Sequence, residues 1–254
     1  MEPLYASAII RFWLIGACAL GCIAPQTRAG EAHPDFSGVW VAYGAGPLPL
    51  LGTPPNDSKL PFTAEGRRKV QALRAIIGNG EDRPGNYCLG SGMPESMLFS
   101  GATGQYPMEI VQRPDLILIL YESHMEVRHL YLGHKIIAEA DRLPARNGYS
   151  AAHWDGGTLV VETTALKEQE DEAYPHSEQA QILERYQLAA DDKGEKVLTD
   201  TWTLTDPVFY TEPVRGVKRW VLDTNGILLP YDCTEQFWVD HLDSLRKAKV
   251  EKKR

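Results

Sequence analysis

The sequence lacks the signatures of several large classes of protein. It has no basic excess, since 34 Asp and Glu stand against 26 Lys and Arg for a net charge of −8, and nucleic-acid binding needs a basic surface. It contains no G-x-x-x-x-G-K-[ST] phosphate loop. Pro49 replaces the third glycine that a dinucleotide loop would need after Gly44 and Gly46, and Leu89 and Met93 replace the glycines of G-x-S-x-G. Nucleic-acid, nucleotide and serine-hydrolase functions are therefore not expected.

A membrane span is also not expected. The apolar run from Phe12 to Pro25 is shorter than the roughly 20 residues that a spanning helix needs. Arg11 precedes the run, and a small-x-small site ends at Ala29. This pattern is typical of a secretory signal peptide, so we predict that residues 1–29 are removed and that the protein is periplasmic or secreted. A lipoprotein anchored through Cys18 is the less favoured alternative, because the apolar stretch before this cysteine is short.

Cysteine is scarce. Of the four cysteines, Cys18 and Cys22 belong to the predicted signal peptide, so only Cys88 and Cys233 remain. Two cysteines in an oxidising compartment predict one disulfide bond between them. The alternative is two buried free thiols.

The rest of the chain divides into two parts of different composition. Residues 30–105 are rich in Gly and Pro, with one helix that begins after Thr63 as its N-cap and has an apolar stripe including Val70 and Leu73. From residue 106 onward short apolar runs alternate with turn signals, and a charged helix follows Glu235. Seven or eight antiparallel strands without any βαβ alternation indicate a mainly β fold, a barrel or a sandwich. We expect 30–105 to pack on 106–254 as one domain.

Six stretches support a more specific fold. They are PDFSGVW (34–40), EIVQRPDLILILYE (109–122), VRHLYLG (127–133), HWDGGTLVVETT (153–164), HSEQAQILERY (176–186) and DPVFYTEPV (206–214). In this order and spacing they resemble a family of exported bacterial proteins, mostly of unknown function, with a lipocalin-like β-barrel domain. The resemblance implies a single antiparallel lipocalin-like barrel with a short N-terminal helix and a C-terminal helix.

The chain departs from the family pattern at a few positions. The second arginine of the family's RRIYLDG is His129 here. The Gly, Arg and Asp of its GRWEGDTL are Ala152, His153 and Gly157. If these positions shape the interior, this protein binds a different ligand from its relatives.

One carboxylate stands on an apolar strand face. In AQILERYQL (180–188) the alternation of a strand places Glu184 with Ile182, Tyr186 and Leu188. An inward carboxylate is desolvated, which makes Glu184 a candidate catalytic acid or base. Two alternatives are a buried salt bridge with Arg128 and a position at the rim of the barrel.

Asp200 repeats this arrangement. In VLTDTWTLT it shares a face with Leu198, Trp202 and Leu204, and a hairpin between the two strands would bring Asp200 and Glu184 into one interior. Two such carboxylates can divide acid and base roles. The alternative is that the threonine face points inward and Asp200 points out.

Histidines complete the set of candidates. His176 lies in the loop before the Glu184 strand and is a candidate proton shuttle, although a simple turn is the alternative. The segment HMEVRHLYLGH has four possible metal ligands but not the helical H-E-x-x-H spacing, so no metal is expected.

These residues lead to three functional hypotheses. The first is a carrier that encloses a small apolar or aromatic molecule, with no cofactor and an unknown oligomeric state. The second is a cofactor-independent lyase, isomerase or hydratase that uses Glu184, with His176 or Arg128 assisting. The third is a structural envelope protein. The expected ligand-binding residues are His129, Trp154, Tyr186, Asp200 and Trp202.

Overall fold

Nine strands form a closed barrel in which each strand pairs with its neighbours in sequence and the last pairs with the first. The computed structural model describes residues 33–43, 60–77, 84–99, 106–170, 173–231 and 236–251. The strands are β1 (Gly38–Ala42), β2 (Met108–Gln112), β3 (Leu116–Tyr121), β4 (Glu126–Leu132), β5 (Tyr149–Asp155), β6 (Thr158–Thr164), β7 (Gln181–Ala190), β8 (Lys196–Thr205) and β9 (Val214–Asp223). The expected mainly β barrel is confirmed.

Two details differ from the expectation. Every pairing is antiparallel except that between β4 and β5, which is parallel. Residues 133–148 connect these two strands, and a parallel pair needs a crossover of about this length. The first strand, β1, lies within the segment that was expected to be loop and helix, and it joins β2 to β9. Residues 30–105 therefore contribute a strand to the barrel.

In the described part of the chain, three α-helices accompany the barrel: α1 (Ala64–Ile77), α2 (Glu95–Phe99) and α3 (Gln236–Glu251). Thr63 caps α1 as expected, because its hydroxyl accepts the backbone N–H of Gly66 at 3.0 Å. Leu73 and Ile77 of α1 bury against Trp238 of α3. No described helix has both the length and the hydropathy to cross a membrane.

The core fills the inside of the barrel. Aromatic and aliphatic side chains from every strand bury together, because alternate residues of each strand point inward. One end is covered by Phe62 and Tyr210, whose rings stack at 5.2 Å. The largest fully buried side chains include Trp40, Trp220, Arg128, Tyr121, Tyr186 and Phe36.

Some expectations fall outside the described residues. The signal peptide, its cleavage site and Cys18 lie there, and the described residues all belong to one compact unit, His33–Arg254. Cys88 is disulfide-bonded. Since Cys233 is not among the described residues, the pairing of these two cysteines stays a prediction.

Candidate functional site

The inner face of β7, β8 and β9 carries polar side chains in two adjacent rows. In the first row Glu184 of β7 lies opposite Trp202 of β8, which lies opposite Gly216 of β9. In the second row Tyr186, Asp200 and Lys218 lie side by side on the same three strands. Directly opposed residues in an antiparallel pair have Cβ atoms about 5 Å apart, so the six positions form one continuous patch.

Arg128 and Glu184 form a fully buried ion pair. Arg128 comes from β4, across the barrel from the patch, and its guanidinium meets the Glu184 carboxylate through both terminal nitrogens. The Nη1–Oε1 distance is 2.8 Å. The Tyr186 hydroxyl donates to the same Oε1 at 2.8 Å. The alternation in AQILERYQL therefore placed Glu184 correctly inside, and its partner is the arginine that the sequence suggested.

The hydroxyls around the ion pair complete its hydrogen bonding. Arg128 Nε donates to Ser150 at 3.1 Å and Nη2 donates to Thr163 at 2.7 Å. Nη1 also lies 3.5 Å from the Tyr186 oxygen. All five N–H groups of the guanidinium therefore have an acceptor. Because both Glu184 oxygens are engaged as well, this pair holds four strands together and offers no free acid or base.

Asp200 differs from Glu184 in having an oxygen without a partner. Its Oδ1 accepts the backbone N–H of Arg185 at 3.1 Å, whereas Oδ2 is buried and has no hydrogen-bond partner. Burial, together with the nearby negative charge of Glu184, raises the pKa of Asp200 well above its ordinary value. Burial therefore favours the protonated carboxyl, in which Oδ2–H is a donor without an acceptor.

This protonation makes the stability of the fold depend on pH. A carboxyl whose pKa is raised on folding stabilises the protein below its unfolded pKa of about 3.9, and that contribution is lost as the pH rises towards the folded pKa. The Asp200→Asn variant lacks the group. We expect its stability relative to wild type to increase as the pH rises above the unfolded pKa, by up to about 1.4 kcal/mol per pH unit.

Urea denaturation at each pH measures this difference. Asp192→Asn, in the exposed turn between β7 and β8, is the matched control and should show no such trend. A pH-independent difference between wild type and Asp200→Asn would show that Asp200 is ionised in the fold.

Trp202 and Lys218 complete the patch. The Trp202 indole lies over β9 where Gly216 has no side chain: a Cβ added there would come within 2.6 Å of the ring. Its Nε1 is buried without a hydrogen-bond partner. Lys218 extends over the Trp220 ring, with Nζ 5.8 Å from the ring centre. Burial lowers the pKa of Lys218 to about 8.

Sequence reasoning missed Lys218. A signal was present, because in VRGVKRWVLD the alternation of a strand places Lys218 with Val214, Gly216 and Trp220. The same parity that selected Glu184 would have selected this lysine.

Two other expected binding residues lie elsewhere. His129 is exposed on the outer face of β4 and stacks on Tyr131 at 5.9 Å. The expectation that it points inward beside Arg128 is wrong, because neighbouring residues of a strand face opposite sides. Trp154 is half-buried at the end of β5, where it stacks on His33 at 4.5 Å and packs against Phe36.

His176 is fully buried in the loops that cover one end of the barrel. Its Nδ1 lies 3.0 Å from the Tyr174 carbonyl, and its backbone pairs with Gln169. His176 lies in the loop before β7, as the sequence indicated, and its role as a proton shuttle stays a prediction. The adjacent Ser177 is held by the Asp206 carboxylate through both its backbone N–H and its hydroxyl, at 2.6 and 2.9 Å.

Within the described ranges, no three His, Cys, Asp or Glu residues cluster closely enough to hold a metal ion. A scan of the chain against protein-family models gives no match, and no curated protein matches it either.

Proposed function

We propose that this protein binds a small, largely apolar or aromatic molecule at the inner face of β7, β8 and β9. The observation that carries the proposal is the buried Oδ2 of Asp200, which has no partner although the Arg128–Glu184 ion pair in the same interior is fully hydrogen-bonded. A buried polar group without a partner costs about 1–3 kcal/mol, and a ligand atom would remove that cost. Apolar walls with a few polar groups are typical of small-molecule sites.

The surrounding aromatic rings fit the same proposal. Trp202 meets Tyr174 edge to face at 5.3 Å, and Trp220 stacks with Tyr186 at 6.4 Å. These rings flank the Asp200 carboxyl on the inner face of the sheet. A planar or aliphatic ligand would contact their faces while a polar atom of the ligand engages Asp200.

Gly216→Ala tests the binding site. The added methyl group would collide with the Trp202 ring and displace it, so we expect the affinity for the ligand to fall at least tenfold. The full chain is incubated with a small-molecule extract of the cells that produce it, and native mass spectrometry follows the retained compound. Gly157→Ala is the control, because a methyl group there would meet only Pro34, at 3.8 Å. Equal retention by all three proteins, or no retained compound, would contradict the proposal.

An acid–base enzyme is the second candidate, and the raised pKa of the Asp200 carboxyl favours it. A neutral carboxyl with an unengaged oxygen can donate a proton to a bound substrate. In that case a compound in the extract would be consumed beyond stoichiometry by wild type and spared by Asp200→Asn. Glu184 is the weaker candidate for this role, since Arg128 and Tyr186 occupy its oxygens.

We further propose that the protein is exported, as the pattern of residues 1–29 suggests, and that it is related to the exported proteins with lipocalin-like barrels that its six motifs resemble. The nine-strand barrel is compatible with both.

A further inference from the structure

One stretch of the inner face is less covered than the rest. Val214, Gly216 and Lys218 of β9 point inward yet are only half-buried, whereas Trp220, on the same face, is fully buried. The reason lies in the pairing with β1, which covers only Trp220–Asp223 of β9 among the described residues. Among the described residues, the first half of β9 is therefore the most accessible part of this face.

Lys218 is the cation at this opening. No carboxylate of the described residues lies within ion-pair distance of its ammonium group, although Asp200 is its direct cross-strand neighbour. Its Nζ lies instead over the face of the Trp220 ring. A half-buried ammonium without a counter-ion is unfavourable unless an anion from outside the chain approaches it.

The charges of the interior define that anion. Arg128 and Glu184 neutralise each other. Asp200 contributes no charge while it is protonated, so the patch carries one net positive charge, that of Lys218. A monoanion matches this charge, whereas a dianionic phosphate would leave one buried negative charge unpaired.

The hydrogen-bond donors of the patch indicate the geometry of the anion that fits it. Lys218 supplies N–H donors, and the unpartnered Oδ2 of Asp200 supplies an O–H beside it on the neighbouring strand. A carboxylate has two acceptor oxygens about 2.2 Å apart and can accept one hydrogen bond from each residue. Trp202 and Trp220 lie on opposite sides of this pair, each two residues along its strand, so an apolar tail that extends along the strands in either direction would contact one of the rings.

We propose that Lys218 and Asp200 bind the carboxylate of an amphipathic organic acid whose apolar part lies against the ring of Trp202 or of Trp220. This inference rests on the proposed binding function and adds the chemical class of the ligand.

Two probes that differ only in the head group test this inference: 1-pyrenebutyrate, which is an acid, and 1-pyrenebutanol, which is the corresponding neutral alcohol. Fluorescence titration of the full chain at pH 6.5 measures both affinities. We expect wild type to bind the acid about tenfold more tightly than the alcohol, and Lys218→Met to lose this difference while its affinity for the alcohol is unchanged. Lys196→Met, at an exposed position of β8, is the control and should bind both probes like wild type.

The pH dependence gives a second readout. Lys218 must be protonated to bind the acid. Affinity for the acid should therefore fall as the pH rises above about 8, which is the pKa of Lys218 in the protein without ligand. Affinity for the alcohol should not follow this curve. The other ionisable groups that face the patch are Asp200 on β8, Glu184 and Tyr186 on β7, Arg128 on β4 and Tyr121 on β3, so Asp200→Asn should be titrated in parallel to separate the two residues.

The possible failures are distinguishable. If both probes bind equally and Lys218→Met changes neither affinity, the carboxylate inference is overturned and the binding function stands. If neither probe binds wild type, both proposals are overturned.

Discussion

Replacing Arg128 by methionine is expected to lower the free energy of unfolding by about 3–5 kcal/mol, because the Glu184 carboxylate would remain buried without its counter-ion. In this variant the Glu184 carboxylate should also take up a proton, because an unpaired buried carboxylate is more stable in its neutral form. Urea denaturation with detection by tryptophan fluorescence and circular dichroism measures the change. A variant too unstable to purify would be assayed with an added stabilising osmolyte.

Two further variants identify the cause of this loss. Arg185 follows Glu184 on β7, points outward and forms an exposed ion pair with Asp155. Arg185→Met removes this pair and should lower the free energy of unfolding by less than about 1 kcal/mol. In the double variant Arg128→Met/Glu184→Gln both charges are absent, so most of the lost stability should return. A double variant as unstable as Arg128→Met alone would mean that the packing of the arginine, and not its charge, is what matters.

Replacing Asp206 by alanine is expected to cost about 3–4 kcal/mol. The carboxylate, between β8 and β9, accepts four hydrogen bonds: two from Ser177 and one each from the backbone N–H groups of Val208 and Phe209. Removing it leaves several largely buried donors unpaired, at about 1–3 kcal/mol each. The loss should appear in urea denaturation and as faster hydrogen exchange at these amides.

Asp206→Asn refines this result. The amide keeps one acceptor oxygen, which can retain the bonds to Val208 and Phe209, but its NH₂ group would face the Ser177 N–H. We expect roughly half of the loss seen in Asp206→Ala, with fast exchange confined to Ser177. Asp192→Ala is the exposed control and should be close to neutral. Equal stability of Asp206→Ala and this control would refute the assigned role.

Much of the candidate site was predictable from the alternation of side chains between the two faces of single strands. Glu184 and Asp200 were identified because each shares a strand face with apolar residues, and that face points into the core. The hairpin that pairs them was predicted from the turn residues 191–194 and the two flanking runs, and it forms as expected. The partner of Glu184 was suggested as one of several alternatives, because parity along a strand says nothing about what faces it across a barrel.

Long-range pairing limited the prediction of the fold. β1 has only five residues between Gly- and Pro-rich segments, so its strand pattern is too short to stand out, and its position depends on β2 and β9, far along the chain. The parallel pairing of β4 and β5 likewise depends on the path of residues 133–148. Local sequence does not encode which edges meet after such a crossover.

His129 and Lys218 show the same limit at the level of the site. The expectation that His129 lines the interior rests on its place in a family motif, whereas the alternation of a strand puts it on the opposite face from Arg128. Lysine is usually exposed, so Lys218 does not stand out by residue type, although its strand position puts it among apolar residues. In both cases strand parity was the more reliable guide.

The closure of the barrel has a consequence for how the chain must fold. Val39 pairs with Asp223, so the two ends of the sheet join only when the last strand is available. Until then β1 and β8 are both open edges, which are templates for association between chains. Joining segments so distant in sequence carries a large loop-closure cost and slows folding. Folding intermediates of this protein are therefore the stage at which its chains are most prone to associate, because they expose unpaired strands that the finished barrel covers.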